Sequence, residues 1–173
     1  MTIIDQLCHQ GWIIPKSAVN TGLNQVNWPV RCEIFRCRPP ILIDSAHNGA
    51  SASQLTQVLD DLFPYHKRVL IFGAMRDKDI KSMFAELLPN CSHTVLTSIG
   101  VPRSMLPDEL EPIAADYDCP ITLENNIEDA LNTATKLAGN NGVVVVAGSI
   151  TIAASIRLFV TRKRLYTTLR TPK

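Results

Sequence analysis

From Ile41 onward the chain alternates short, nearly unbroken apolar runs with longer stretches that are apolar on one side only. The runs are Ile41 to Asp44, Arg68 to Gly73, His93 to Ser98, Pro120 to Glu124 and Gly142 to Ala147. Their length and β-branched content predict strands. Val143 to Val146 is β-branched throughout, so both of its faces are expected to be covered, as in a central parallel strand. The intervening stretches repeat at the helical period. Ile80, Met83, Phe84, Leu87 and Leu88 share one face, as do Leu110, Ile113, Ala114 and Tyr117, and then Ile127, Ala130, Leu131, Ala134 and Leu137. Ahead of this part, Arg31 to Arg36 reads as a further strand folded back on Ile41 to Asp44 through Pro39-Pro40. The expected fold class is α/β: a Rossmann-like three-layer domain with a mostly parallel sheet of about six strands and one antiparallel edge strand.

Starts and stops agree with the periodicity. Pro107 followed by Asp108 and Glu109 places a first-turn proline and two acids where a helix dipole favours them, and Gly139 closes the helix that begins near Asn126. The first 30 residues carry only a weak helical stripe, punctuated by Trp12, Pro15, Trp28 and Pro29. The expected organisation is a tail of a preceding domain, or a linker, over 1–30, the α/β domain over 31–163 and a basic tail over 164–173. Arg157, Arg162, Lys163, Arg164, Arg170 and Lys173 follow one another with no acid among them, which fits a helix end matched to its dipole and then a frayed tail.

Composition narrows the classes. A chain of 173 residues holds one sizeable core, and 46% hydrophobic with 19% charged residues argues against disorder. A net charge of +1 offers no footprint for a nucleic-acid duplex or an anionic membrane, so neither is an expected partner. No apolar run approaches the roughly 18 residues of a membrane span, and no basic stretch with an apolar core opens the chain. Cys8, Cys32, Cys37, Cys91 and Cys119 show no metal or redox spacing and read as reduced, buried cytoplasmic thiols.

Ligands of open α/β sheets bind beyond the carboxyl ends of the strands. Three runs end in polar residues: Asp44-Ser45-Ala46-His47-Asn48, then Arg76-Asp77-Lys78-Asp79 after Phe72-Gly73-Ala74-Met75, and Gly148-Ser149. A carboxylate at a strand tip can accept hydrogen bonds from ribose hydroxyls, and a histidine three residues on can face an anion. Helix capping by Asp44, a satisfied turn for His47 and capping by Ser149 are the competing readings. Arg76 to Asp79 reads as an N-cap with solvated neighbours. The chain lacks a G-x-x-x-x-G-K-[ST] loop, a G-x-G-x-x-G fingerprint and a G-x-S-x-G elbow, and none of its four histidines has a partner at metal spacing.

Together these tips resemble the C-terminal domain of the Mur ligase superfamily, most closely that of folylpolyglutamate synthase and its bifunctional form with dihydrofolate synthase. Trp28-Pro29-Val30-Arg31 is similar to the family's W-P-G-R, and Leu42 to Asn48 to its L-D-G-A-H-N. Phe72 to Asp79 is similar to F-G-x-x-x-D-K-D, Pro102-Arg103 to the P-R before the next helix, and Ala147-Gly148-Ser149 to F-G-S. The resemblance implies a ligase in which ATP phosphorylates a folate or dihydropteroate carboxylate and the amine of glutamate attacks the acyl phosphate. It implies that Arg31 and Asp44 contact the ATP ribose and phosphates, that His47 and Ser149 hold glutamate, and that Asp44 and His47 serve catalysis. ATP and Mg2+ would then be held mainly by an N-terminal ATPase domain, which these residues do not contain. A Mur-type ligase of another amino acid and a stand-alone nucleotide or amino-acid binding domain are the alternatives.

Val30 and Ser45 depart from the family's glycines. The purified 173 residues are expected neither to hydrolyse ATP nor to ligate glutamate. ATP-dependent ligation by this chain alone would contradict that expectation.

Overall fold

The computed structural model describes residues 2–162. The basic tail expected over 164–173 lies outside them. The chain divides into two compact units, the first running to Pro29 and the second beginning at Val30. The first unit holds α1 (Ile3–His9) and α2 (Lys16–Gln25). Thr2 caps α1 by accepting the Asp5 N–H, while the Asp5 carboxylate accepts the Thr2 N–H at 2.8 Å. Neither helix buries a residue, and Trp12, Ile13 and Trp28 are exposed.

The second unit is a six-stranded sheet in the order β1-β2-β6-β3-β4-β5. Its strands are β1 (Glu33–Phe35), β2 (Ile41–Ile43), β3 (Lys67–Phe72), β4 (His93–Thr97), β5 (Ile121–Glu124) and β6 (Gly142–Ala147). β1 pairs antiparallel with β2, Glu33 opposite Ile43, and every other pairing is parallel. β6 lies between β2 and β3, with Val145 facing Leu42 on one side and Leu70 on the other. The helices are α3 (Gly49–Leu62), α4 (Ile80–Leu87), α5 (Pro107–Ala114), α6 (Ile127–Ala138) and α7 (Ile150–Arg162).

The period-two alternation of strand side chains builds the three layers. Leu42, Leu70, Phe72, Leu96, Val143 and Val145 point to the face covered by α3, α4 and α5. Ile41, Ile43, Val69, Ile71, Val95, Val144 and Val146 point to the face covered by α6 and α7. Each such side chain contributes about 1.5–3 kcal/mol when fully buried. On the first face the Phe84 ring of α4 lies 4.7 Å from Phe72, centroid to centroid, and edge-on to Tyr117.

Several expectations are corrected at their edges. The first strand begins at Glu33 rather than Arg31, because Val30 (φ 57°) and Cys32 (φ 45°) adopt left-handed backbone that cannot continue a ladder. α5 stops at Ala114, so Tyr117 reaches the core from the turn that follows. All five cysteines are free, but Cys119 alone is fully buried, while Cys8 and Cys32 are exposed.

Glycine is required where β6 ends. Gly148 has φ +109°, and a Cβ there would lie 2.6 Å from the carbonyl oxygen of Gly73 and 2.9 Å from the Phe72 ring. Gly139 also has positive φ, +61°, but opens onto empty space. With ψ at −158° it lies in a region nearly restricted to glycine, so Gly139→Ala is expected to cost about 2 kcal/mol from backbone strain alone. Gly148→Ala, which adds a clash with backbone to the strain, is expected to cost about 3 kcal/mol or more. Urea unfolding of the two variants measures the difference. Phe84→Ala is expected to cost about 3–5 kcal/mol, read the same way.

Candidate functional site

The carboxyl ends of β2, β3, β4 and β6 open into a cavity of about 700 Å³. Ser45 and His47 line it from the loop after β2, and Met75, Asp77 and Lys78 from the loop after β3. Val101, Pro102 and Arg103 come from the loop after β4, Ser149 just before α7 and Ile150 and Thr151 in its first turn add to it, and Arg31 reaches it from the arm before β1. Two loops are zipped together. The Arg76 N–H donates to the Arg103 carbonyl and the Met105 N–H to the Ala74 carbonyl, both at 2.9 Å, around an antiparallel bridge between Met75 and Ser104. Lys78 and Arg103 thus share one wall although 25 positions separate them in the chain.

Asp44 is buried at the tip of β2, and both carboxylate oxygens are engaged by backbone. Oδ1 accepts the Ala46 N–H at 2.7 Å and Oδ2 the Cys32 N–H at 2.9 Å. It does not cap the following helix. Asn48 does, accepting the Ser51 N–H at 2.8 Å, while the Ser51 hydroxyl oxygen accepts the Asn48 N–H. Asp44 therefore ties the arm carrying Arg31 to the strand tip. A carboxylate has about four acceptor positions, so this leaves capacity for a ligand hydroxyl. The sulfur of Cys32 also turns to Asp44, at 3.4 Å, and although the residue as a whole is exposed, partial desolvation of its thiol followed by the facing carboxylate pushes it up to about 11.

His47 Nδ1 lies 3.0 Å from the Ser45 carbonyl oxygen. A carbonyl only accepts, so this contact assigns the proton to Nδ1 and leaves Nε2 as the second polar atom of a ring that lines the cavity. Ser149 serves as a cap and lines the cavity at once: its Oγ accepts the Ile152 N–H at 3.2 Å and lies 2.9 Å from the Thr151 hydroxyl. Beside it the early N–H groups of α7 have no intrahelical acceptors, an arrangement that favours an anion. The Oγ of Ser45 is buried and has no hydrogen-bond partner among the described residues.

The structure brings Arg31, His47 and Ser149 to one cavity and places Asp44 behind them, holding backbone. It adds Ser45, Lys78 and Arg103, which periodicity does not mark. Arg31, His47, Lys78 and Arg103 face Asp77 as the lone acid of the lining. Asp77 pairs with Lys78 at 3.1 Å and with Arg103 at 3.3 Å, and the Lys78 hydrogen bond holds its carboxyl below the usual range. The lining keeps a cationic excess suited to a ligand with more than one negative group. Arg76 turns away to a two-pronged pair with Glu109 at the start of α5, and Asp79 caps α4. Among the described residues, no three His, Cys, Asp or Glu side chains group as a metal site, and no helix is long and apolar enough to cross a membrane.

Residues 30–150 match the model of the Mur ligase family's glutamate ligase domain. A probable bifunctional folylpolyglutamate synthase/dihydropteroate synthase of Haloferax volcanii is 31% identical over 159 residues, covering 91% of this chain and 19% of that protein. The dihydrofolate synthase/folylpolyglutamate synthase of Mycobacterium tuberculosis is 32% identical over 158 residues, covering 82% of this chain and 32% of its own length. The chain thus spans a third or less of these relatives. Among solved structures, Mycobacterium tuberculosis folylpolyglutamate synthase complexed with ADP and AMPPCP superposes with a TM-score of 0.80 at 30% identity, over 87% of this chain and 36% of that one. E. coli FolC in complex with DHPP and ADP has the same fold, with a TM-score of 0.84 at 22% identity over 93% of this chain and 38% of that one. With a family match running from the arm of Arg31 to the first turn of α7, the chain belongs to the Mur ligase family as a glutamate ligase domain.

Proposed function

We propose that this chain is the amino-acid-binding and nucleotide-closing domain of an ATP-dependent ligase that joins glutamate to a folate. The observation that carries the reading is the cationic cavity at the strand tips, where Arg31, His47 and Ser149 converge. In the reaction, the γ-phosphoryl group of ATP passes to a carboxylate oxygen of the acceptor. The amine of glutamate then attacks the carbonyl carbon of the acyl phosphate, phosphate leaves with the C–O electron pair, and the amine loses a proton as the amide forms.

Within this reading Arg31 neutralises nucleotide phosphate charge and Asp44 accepts from the ribose while fixing the Arg31 arm. His47 and the Ser149 end of α7 hold a carboxylate of glutamate, and by bringing the amine to the acyl phosphate His47 and Asp44 act as the catalytic pair. Arg103 and Lys78 fit the second carboxylate. Closure of the domain shields the acyl phosphate from water. The acceptor is tetrahydrofolate, its polyglutamates or dihydropteroate, in keeping with the names of the relatives.

The described residues offer Mg2+ no cluster of ligands. The metal and the phosphate loop are assigned to an N-terminal ATPase domain, and no step here runs through the ion. Residues 1–30 are read as the end of the central domain that precedes this one, supported by two helices that bury nothing. A reducing, cytoplasmic setting belongs to the same reading, supported by five free cysteines.

Loss of one charge-assisted hydrogen bond to substrate costs roughly 10- to 100-fold. In the complete ligase, His47→Ala is expected to raise the KM for glutamate by about tenfold or more, leaving that for ATP in place. Arg31→Ala is expected to raise the KM for ATP instead. Steady-state kinetics with each substrate varied in turn makes the comparison. Unchanged turnover in both variants would leave a stand-alone binding domain as the better account, and saturation by another amino acid in place of glutamate would point to a Mur-type ligase of different substrate.

A further inference from the structure

Arg31 sits between two residues in left-handed backbone, Val30 at φ 57° and Cys32 at φ 45°. Neither is glycine, and a β-branched valine resists that region most. Such a conformation persists only where its surroundings over-determine it. Two carboxylates do this, one on each side of the arginine. After it, Asp44 Oδ2 accepts the Cys32 N–H at 2.9 Å. Before it, Glu33 Oε2 accepts the Val30 N–H at 3.0 Å.

The Glu33 clamp has a further partner. The same oxygen accepts the Nε–H of Arg157 at 2.7 Å, and the two side chains are 12% and 30% exposed, so solvent screens the pair only in part. Arg157 lies on α7, the helix whose first turn borders the cavity. Val30 is itself buried, as part of the core cluster on the second face of the sheet. The arm is thus anchored to both walls of the cavity, by Asp44 to β2 and by Glu33 to α7. The β1–β2 ladder pairs Glu33, Ile34 and Phe35 with Ile43, Leu42 and Ile41, so the strand keeps its place without the Glu33 carboxylate.

We propose that Glu33 and Arg157 form a positioning pair that presents Arg31 to the nucleotide. The proposal rests on the nucleotide-binding reading of Arg31 above. Neither residue of the pair lines the cavity. Arg157 fixes the direction of the Glu33 carboxylate, that carboxylate holds the Val30 N–H, and the strained turn delivers the guanidinium of the next residue. Without Glu33 the Val30 N–H loses its acceptor, the valine relaxes to negative φ, and Arg31 swings off its line.

Kinetics of the complete ligase tests the proposal. Glu33→Ala is expected to raise the KM for ATP about tenfold, the scale of one charge-assisted hydrogen bond, with the KM for glutamate unmoved. Arg157→Met leaves Glu33 free to accept the Val30 N–H and is expected to raise the KM for ATP about threefold, with Arg157→Lys restoring most of it. In an Arg31→Ala background, Glu33→Ala is expected to add nothing, because it acts through the missing side chain. Gly139→Ala, a strained site on another loop, serves as the stability control and is expected to leave the KM for ATP at its normal value. Full additivity of Glu33→Ala with Arg31→Ala would overturn the proposal, as would an equal shift in the control. Should Glu33→Ala fail to fold, an unchanged KM for ATP in folded Arg157→Met would overturn it too. If Arg31→Ala alone left the KM for ATP unmoved, the nucleotide reading itself would fall, an outcome distinct from failure of the pair.

Discussion

The site depends on how closely three strand ends approach one another. At Gly73 a Cβ would lie 2.5 Å from the carbonyl oxygen of Thr97, and at Gly148 it would lie 2.6 Å from the carbonyl oxygen of Gly73. The ends of β3, β4 and β6 therefore approach backbone to backbone, with the Ile152 and Phe72 side chains packed against the two glycines. Polar residues just past each tip are brought to one opening instead of being held apart. Two glycines thus convert three remote stretches of sequence into adjoining walls.

Burial on both faces explains why the polar side chains of the cavity gather at that end. Every residue of β2 and β6 is buried, and a charge placed along either would lose its hydration with nothing to replace it. The one buried arginine of the sheet, Arg68, lies near the opposite end of β3 and reaches Asp60 of α3 at 2.7 Å. At the other end Asp44 is held by backbone, on the Ala46 and Cys32 N–H groups, while the buried hydroxyls of Ser45 and Thr97 have no hydrogen-bond partner among the described residues. Backbone donors hold a carboxylate more rigidly than mobile side chains do, because each is already fixed by the fold.

Much of the fold was legible from pattern alone. The all-β-branched run at Val143 to Val146 announced a strand covered on both sides, and it lies third in the sheet with β2 and β3 as neighbours. Pro39-Pro40 marked the reversal that makes β1 antiparallel. The left-handed pair around Arg31 was legible only at Val30, which stands where the resembling family has glycine; nothing in Cys32 advertises positive φ. Hydrogen bonds that the Glu33 and Asp44 carboxylates accept from the Val30 and Cys32 N–H groups, one local and one across the β1–β2 turn, impose it. Arg31, His47 and Ser149 were legible as a set through family resemblance, and the structure brings them to one cavity. Lys78 and Arg103 stand in motifs visible in the sequence, but their adjacency is not visible there, because it comes from hydrogen bonds between two loops and such pairing leaves no periodicity.

The place of β6 in the sheet sets the order in which the domain can assemble. β2 and β3 do not touch each other along the ladder, since each pairs with β6, which is formed by residues 142–147. During synthesis the β1–β2 hairpin and the β3–β4–β5 portion are made first, each with an open edge, and wait for a strand that leaves the ribosome about a hundred residues after β2. The sheet is closed from its middle by the last of its own strands to be made. Until then two unpaired edges rich in isoleucine, valine and leucine stand exposed, and the nascent chain carries its greatest risk of sticking to others just before it becomes a domain.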